Sequence, residues 1–182
     1  MDERVYKGDI TKLRAPERVK MLDLERVVEL CLEQIFITRV LDVGCGSGIF
    51  AEAFALRNLN VTGIDKNPRM VKASSDMVLN ARFQEGTAEQ LPFPDKSFDL
   101  VFLGHVLHES DDPLLVLQEA NRIATSRIAV LEWPYREETA GPPLSHRLSH
   151  DTIKKYARNA GCISIKKTEL DHMVLYRMQP RE

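Results

Sequence analysis

The sequence predicts an α/β fold in which a doubly wound, mostly parallel sheet carries helices on both faces and closes with an antiparallel hairpin. Three observations predict it. The apolar run Val40 to Val43 passes into glycines 44, 46 and 48 and then straight into further apolar residues, the pattern of a buried strand, a tight turn and a helix start. Short strand-like runs then alternate with stretches of helical spacing, which is how βα units read in sequence. Finally, Ile163 to Glu169 and Met173 to Met178 flank a short Leu170-Asp171-His172 turn, the signal of a hairpin.

Taken in order, Pro16 marks a helix first turn, and Leu24, Val27, Val28, Cys31 and Leu32 recur at helical spacing. They predict an amphipathic helix over roughly 23 to 33, with Asp23 as its cap. Residues 1–37 then form an N-terminal helical segment, either a lid over a ligand cleft or a tail, and 38–182 form the main domain. After the glycine turn, Phe50 to Arg57 continues as helix, and Val61 to Asp65 is a second strand. Asn67-Pro68 opens a helix to about Asn80, and Ala81 to Glu85 is a short third strand. Leu100 to Leu103 is uniformly apolar, as a central parallel strand should be. Asp112-Pro113 starts a helix to about Arg122, and Ile128 to Leu131 is the fifth strand. A loop from Arg136 to Leu148 precedes a helix capped by Ser149 and stopped by Gly161.

Composition narrows the function classes. The 182 residues are 43% apolar and 29% charged, which suits one globular domain with a substantial core. A net charge of −2 provides no global attraction for nucleic acid phosphates, which leaves only local patches for such contacts. The amino terminus lacks an apolar signal core and no run reaches membrane-spanning length, so a cytoplasmic location is expected. Cys31, Cys45 and Cys162 are widely spaced without a C-x-x-C pair, which argues against disulfides and against a zinc site. Cys45 reads as a size constraint within the glycine loop. The oligomeric state is not legible.

The glycine loop is the expected ligand site, because glycines let a nucleotide-sized molecule lie against backbone amides at a helix start. It is neither a G-x-G-x-x-G fingerprint, since Ile49 stands where the last glycine belongs, nor a phosphate loop with its Lys and Ser/Thr. Asp42, two residues before the loop, would repel a pyrophosphate and attract a sulfonium or ammonium. S-adenosylmethionine has that character. Asp65, ending the second strand some twenty residues on, can accept hydrogen bonds from ribose hydroxyls. Lys66 and Met70 are placed to cover an adenine face, with core packing the other reading for Met70. Gly104, His105 and His108 follow the fourth strand, where doubly wound sheets bind ligands. The two histidines are candidate bases, although His108 could equally cap or pack the next loop. Glu132, Trp133, Tyr135 and His146 either line an acceptor pocket or form a structural hinge loop.

V-L-D-V-G-C-G-S-G, the Asp65 strand end, E-G-T-A-E-Q-L-P-F-P-D-K-S-F-D-L-V and V-L-H-E together resemble a class I S-adenosylmethionine-dependent methyltransferase of the type-11 group, which includes ubiquinone and menaquinone pathway enzymes. The likeness covers about residues 38 to 178. It implies a Rossmann-like seven-stranded sheet whose last strand is antiparallel and inserted between the fifth and sixth. By position it implies that Gly44, Cys45 and Gly46 face the methionyl part and Asp65 the ribose. Thr87 and Ala88 would then meet the adenine edge, with Glu89 shaping that pocket, and Gly104 and His105 would line the methionine and transferable methyl. Thr87 stands where the family often has Asp, a stronger acceptor, so some loss of affinity is expected. Ala124-Thr125-Ser126 replaces the usual Lys-Pro-Gly-Gly turn, implying a shorter loop there.

Methyl transfer to an unidentified, small-molecule acceptor is the function this implies, with no metal required. A non-catalytic cofactor-binding module and an RNA or protein methyltransferase are the alternatives.

Overall fold

Seven strands pair in the order β3-β2-β1-β4-β5-β7-β6. The computed structural model describes residues 10–138 and 140–181. The strands are β1 (Arg39–Val43), β2 (Asn60–Asp65), β3 (Ala81–Glu85), β4 (Phe98–Gly104), β5 (Ala124–Glu132), β6 (Ile163–Glu169) and β7 (Val174–Gln179). The first five are parallel, while β7 runs antiparallel to both β5 and β6 and lies between them. The doubly wound sheet and its terminal hairpin are therefore as the sequence and the resemblance predict.

Burial explains why the central strands read as continuous apolar runs. Leu41, Val101, Leu103, Ile128 and Val130 point into one core, and Val40, Leu100, Phe102, Ala129 and Leu131 into the other. Helices α5 (Pro113–Ile123) and α6 (His150–Asn159) cover the first face. Helices α2 (Leu24–Leu32) and α3 (Ile49–Ala55) cover the second. Helix α4 (Pro68–Met77) flanks β2 and β3, and α1 (Pro16–Leu22) leads into α2.

The caps follow the chemistry of their residues. Asn67, Asp112 and Ser149 each accept a backbone N–H from the first turn of the helix they begin. Asp23 departs from expectation: it sits in the left-handed region (φ 49°) between α1 and α2, and its side chain makes no cap hydrogen bond. It is a corner between two helices. The shortened loop expected at Ala124-Thr125-Ser126 does not exist, because the backbone turns extended at Ala124 as α5 ends and these residues open β5. Asp99 ties this lower edge together, accepting the N–H groups of Thr38 and Arg39, the Thr38 hydroxyl and the Arg39 guanidinium.

Two arginines fix the end of α2 to the sheet. Arg127 donates to the carbonyls of Cys31 and Glu33, and Arg177 donates to the Leu30 carbonyl and the Glu33 carboxylate. They satisfy carbonyls that a helix end leaves unpaired. The carboxyl ends of β1 and β4 lie side by side at the centre of the sheet, where their outgoing chains diverge and leave a crevice.

Candidate active site

That crevice opens into a cavity. Its floor is the turn from β1 into α3. Gly44 (φ +66°) and Gly46 (φ +52°) hold conformations that side chains rarely adopt, and a Cβ on Gly44 would lie 2.6 Å from the Val106 Cγ2. The turn is locked from within: the N–H groups of Gly44 and Cys45 donate to the Ile64 carbonyl at 2.8 and 3.1 Å, and that of Gly48 to Cys45 at 2.8 Å. Gly46 N–H donates to the Asp65 carboxylate at 2.9 Å. The expectation of bare amides awaiting a ligand is thus corrected at Gly44, Cys45, Gly46 and Gly48, whose donors are already spent on the fold.

Asp65 takes a second N–H, from Asn67, at 2.9 Å, so its two oxygens are aimed by both flanking segments. Burial raises its pKa, and the two N–H groups and Lys66 oppose the rise. Asp42 lies beneath the turn and is almost fully buried, with Oδ2 lacking a hydrogen bond partner among the described residues. Desolvation pushes its pKa up to about 8, against the lowering effect of the Ala51 N–H. In the empty protein this group is largely protonated at neutral pH, so its negative charge is conditional on a cation being brought to it.

The cavity is lined by Asp42, Gly44, Cys45, Gly46, Asp65, Lys66, Met70, Ala88, Glu89, Gly104 and His105, which brings together eleven of the residues singled out from sequence. Met70 is both core and wall, being buried and lining. The Cys45 thiol is held protonated by burial first and by its carboxylate neighbours Asp42 and Asp65 second. Thr87 does not line the cavity; it forms an isolated bridge with Gln90, leaving Gly86, Ala88 and Glu89 to face inward.

The two histidines differ. His105 follows β4 in a left-handed conformation (φ 62°), its N–H bonded to the Leu131 carbonyl, which throws its ring into the cavity wall. The ring stacks on Trp133 at 5.3 Å, and Nε2 lies 3.2 Å from the Met173 sulfur. Burial, with His108 and Arg18 nearby, holds its pKa well below the ordinary value, so it is neutral. His108 lies behind the cavity wall. Its Nδ1 is 2.7 Å from Glu132 Oε2, and its N–H donates to Glu132 Oε1 at 3.2 Å. Burial works to lower its pKa, but the adjoining Glu132 carboxylate outweighs that and raises it.

Glu132 and Trp133 do not line the cavity; they back His108 and His105. Tyr135 is exposed, and His146 ends a short 3-10 turn. Arg147 organises that loop instead. Its buried guanidinium donates to the carbonyls of Pro134, Arg136, Ala140 and Pro142 and lies over the Trp133 ring.

Several lining residues escaped the sequence reading: Leu13, Arg18 and Leu22 from the N-terminal segment, and Val106, Glu109 and Ser110 after β4. The V-L-H-E run contains Val106 and Glu109, but nothing in it marks either as lining. Nothing in the periodicity of the N-terminal segment places Leu13, Arg18 and Leu22, since they are fixed by where that segment folds back.

Comparison with known proteins agrees with this geometry. Residues 41–127 match the family model described as "Methyltransferase domain". The uncharacterized methyltransferase YcgJ of Bacillus subtilis is 40% identical over 90 residues, covering 47% of this chain and 36% of that protein. The demethylmenaquinone methyltransferase of Thermotoga maritima is 32% identical over 112 residues, covering 59% and 48%. The chain therefore spans less than half the length of these curated relatives. A crystal structure of a SAM-dependent methyltransferase from Aquifex aeolicus superimposes with a TM-score of 0.85 over 96% of this chain and 100% of that one, at 24% identity. Residues 41–127 are thus similar to the methyltransferase-domain family, and the chain has the same fold as the Aquifex aeolicus structure.

Proposed function

We propose that the chain transfers a methyl group from S-adenosylmethionine to a small-molecule acceptor. The observation that carries this reading is the pairing of a turn in which the Gly44, Cys45, Gly46 and Gly48 amides are already satisfied with a buried Asp42 oxygen that has no hydrogen bond partner among the described residues. A triphosphate or pyrophosphate needs free N–H donors and a positive field. An ammonium or sulfonium needs an acceptor with a charge to offer, and Asp42 supplies one.

The residues present fit that cofactor. Asp65 keeps acceptor capacity for ribose hydroxyls, since each carboxylate oxygen carries more than the one hydrogen bond already made. Gly44, Cys45 and Gly46 present backbone to the methionyl part, with Asp42 balancing its charge. Ala88, Glu89, Lys66 and Met70 frame the adenine, and Gly104 and His105 adjoin the methyl. Bound there, the cofactor supplies an electrophilic methyl on a positively charged sulfur. The protein contributes position and dryness: Leu13 and Leu22 close one wall, Phe50 and Val106 another, and a neutral His105 adds no competing charge. The described part of the N-terminal segment acts as a lid, with Arg14 bonded to the Ser47 carbonyl and paired with Glu52 across the turn.

No helix among the described residues is long and apolar enough to cross a membrane. We place the protein in the cytoplasm, a reading supported by three free, buried cysteines. The partly apolar cavity, half open to solvent, can admit a metabolite. Co-crystallisation with S-adenosylhomocysteine, together with transfer of labelled methyl from S-adenosylmethionine to a whole-cell extract that keeps metabolites, RNA and protein, tests the reading. Label in a low-mass product with density against Asp65 is expected. Label only in RNA or protein would move the acceptor to a polymer, and occupancy without turnover would favour a binding module.

A further inference from the structure

We infer that Glu109 forms an acceptor subsite for a protonated amine, and that it takes the proton which must leave the nitrogen before the nitrogen can attack. The inference rests on the methyl-transfer reading and names the substrate class for it.

The geometry begins one residue earlier. Glu132 grips His108 through both its side chain and its backbone N–H, which fixes the short 3-10 turn Leu107–Glu109 behind the cavity. With His108 turned inward to Glu132, the following residue faces the cavity, which Glu109 lines beside His105 and Val106. The other carboxylates of the wall are differently engaged. Asp65 is held by two N–H groups, Glu89 accepts the Ser110 hydroxyl at 2.7 Å, and Asp42 lies under the glycine turn. Among the described residues none donates a hydrogen bond to the Glu109 carboxylate, although its N–H is spent on Val106.

A half-buried carboxylate that faces a cavity and accepts no hydrogen bond from the described residues is a receptor for a donor from outside. Burial raises its pKa to about 7. His108 and Lys66 lower it, Glu132 and Asp65 raise it, and Arg18 and Glu89 face the same space. Such a group is balanced between holding an ammonium and removing its proton near neutrality. In the transfer an N–H bond breaks, its electron pair stays on nitrogen as the attacking lone pair, and the proton forms an O–H bond on Glu109. The protonated acid then returns its proton to water. Neither histidine serves this purpose: His108 is buried against Glu132, and His105 points Nε2 at the Met173 sulfur.

The test uses the full chain saturated with S-adenosylhomocysteine, titrated calorimetrically with benzylamine, benzyl alcohol and benzoate as probes. Benzylamine is expected to bind in preference to the other two, more tightly at pH 8 than at pH 6, because ionised Glu109 is the form that attracts it. Glu109→Gln should weaken benzylamine at least about tenfold, the scale of one hydrogen bond to a charged group, and remove the pH dependence. Its affinity for S-adenosylhomocysteine and its melting temperature should stay near the parent's. Benzoate or benzyl alcohol binding as well as benzylamine, no benzylamine binding, or an unaltered Gln variant would each overturn the assignment. Failure of the parent to bind S-adenosylhomocysteine would instead strike the underlying methyl-transfer reading.

Discussion

The Asp65 carboxylate accepts the Gly46 N–H at 2.9 Å, so the last residue of β2 holds the glycine turn that follows β1. One side chain thereby shapes the turn and offers its remaining acceptor capacity to the cavity. Asp65→Ala should weaken S-adenosylhomocysteine binding by roughly 1.5 to 3 kcal/mol, the range for hydrogen bonds to charged groups. Asp65→Asn, which keeps the shape but loses the charge, should fall between. Calorimetric affinity equal to the parent's in both variants would remove the ribose assignment.

Asp42 makes binding pH-dependent. Its carboxyl titrates near 8 in the empty protein, and an ammonium brought beside it stabilises the ionised form. Affinity for S-adenosylhomocysteine should therefore rise between pH 6 and 8, by up to about tenfold per pH unit, with proton release on binding. Comparing binding enthalpies in buffers of different ionisation enthalpy measures that release.

The same group sets a stability trend of opposite sign. Its folded pKa lies above its ordinary value, so its contribution is fully present below about pH 4 and is lost as pH rises through about 8. Asp42→Asn should flatten this decline in thermal melts across pH while weakening cofactor binding. A parent and variant that melt in parallel across that range would show that burial of Asp42 has no such cost.

Gly44→Ala should damage fold and site together. The left-handed backbone costs a β-carbon about 1 to 2 kcal/mol, and the new methyl would meet Val106 at 2.6 Å in the cavity wall. A lower melting temperature is expected, with S-adenosylhomocysteine affinity reduced about tenfold or more. Adding Val106→Ala should restore part of the affinity but not the backbone cost, which separates the two effects.

The Arg14 contacts predict a kinetic effect. Both its carbonyl bond to Ser47 and its ion pair with Glu52 join the lid to the turn, and both groups are partly exposed. Exposed pairs contribute at most about 1 kcal/mol, so Arg14→Ala should leave stability nearly unchanged. Stopped-flow displacement should show ligand dissociating several-fold faster, about 3- to 5-fold for that energy. An unchanged dissociation rate would argue that the segment is a fixed wall.

The parts of the fold that were legible in the sequence are those set by local chemistry. Val40, Leu41 and Val43 and the run Leu100 to Leu103 are apolar because both faces of the sheet are covered, and Asn67, Asp112 and Ser149 cap as their side chains allow. Asp23 misled because its position at a helix start says nothing of the left-handed corner it occupies. The side of the cavity lined by Asp42, Gly44, Gly46 and Asp65 was legible since glycines and carboxylates have few other reasons for that spacing. The side beyond β4 was not. His108 turns away only because Glu132, 24 residues later, reaches it from β5, and Leu13, Arg18 and Leu22 arrive through the tertiary path of α1. The charge state of Asp42 depends on desolvation, which no linear pattern records.

The central claim is that this cavity selects a positively charged adenosine derivative over phosphate-bearing nucleotides. Competition calorimetry measures it most directly, with S-adenosylhomocysteine titrated into the protein alone and then in the presence of excess ATP or NAD. Saturable one-to-one binding of S-adenosylhomocysteine, undisturbed by either nucleotide, is the expected result. Displacement by ATP or NAD, or nucleotide binding where S-adenosylhomocysteine shows none, would contradict it.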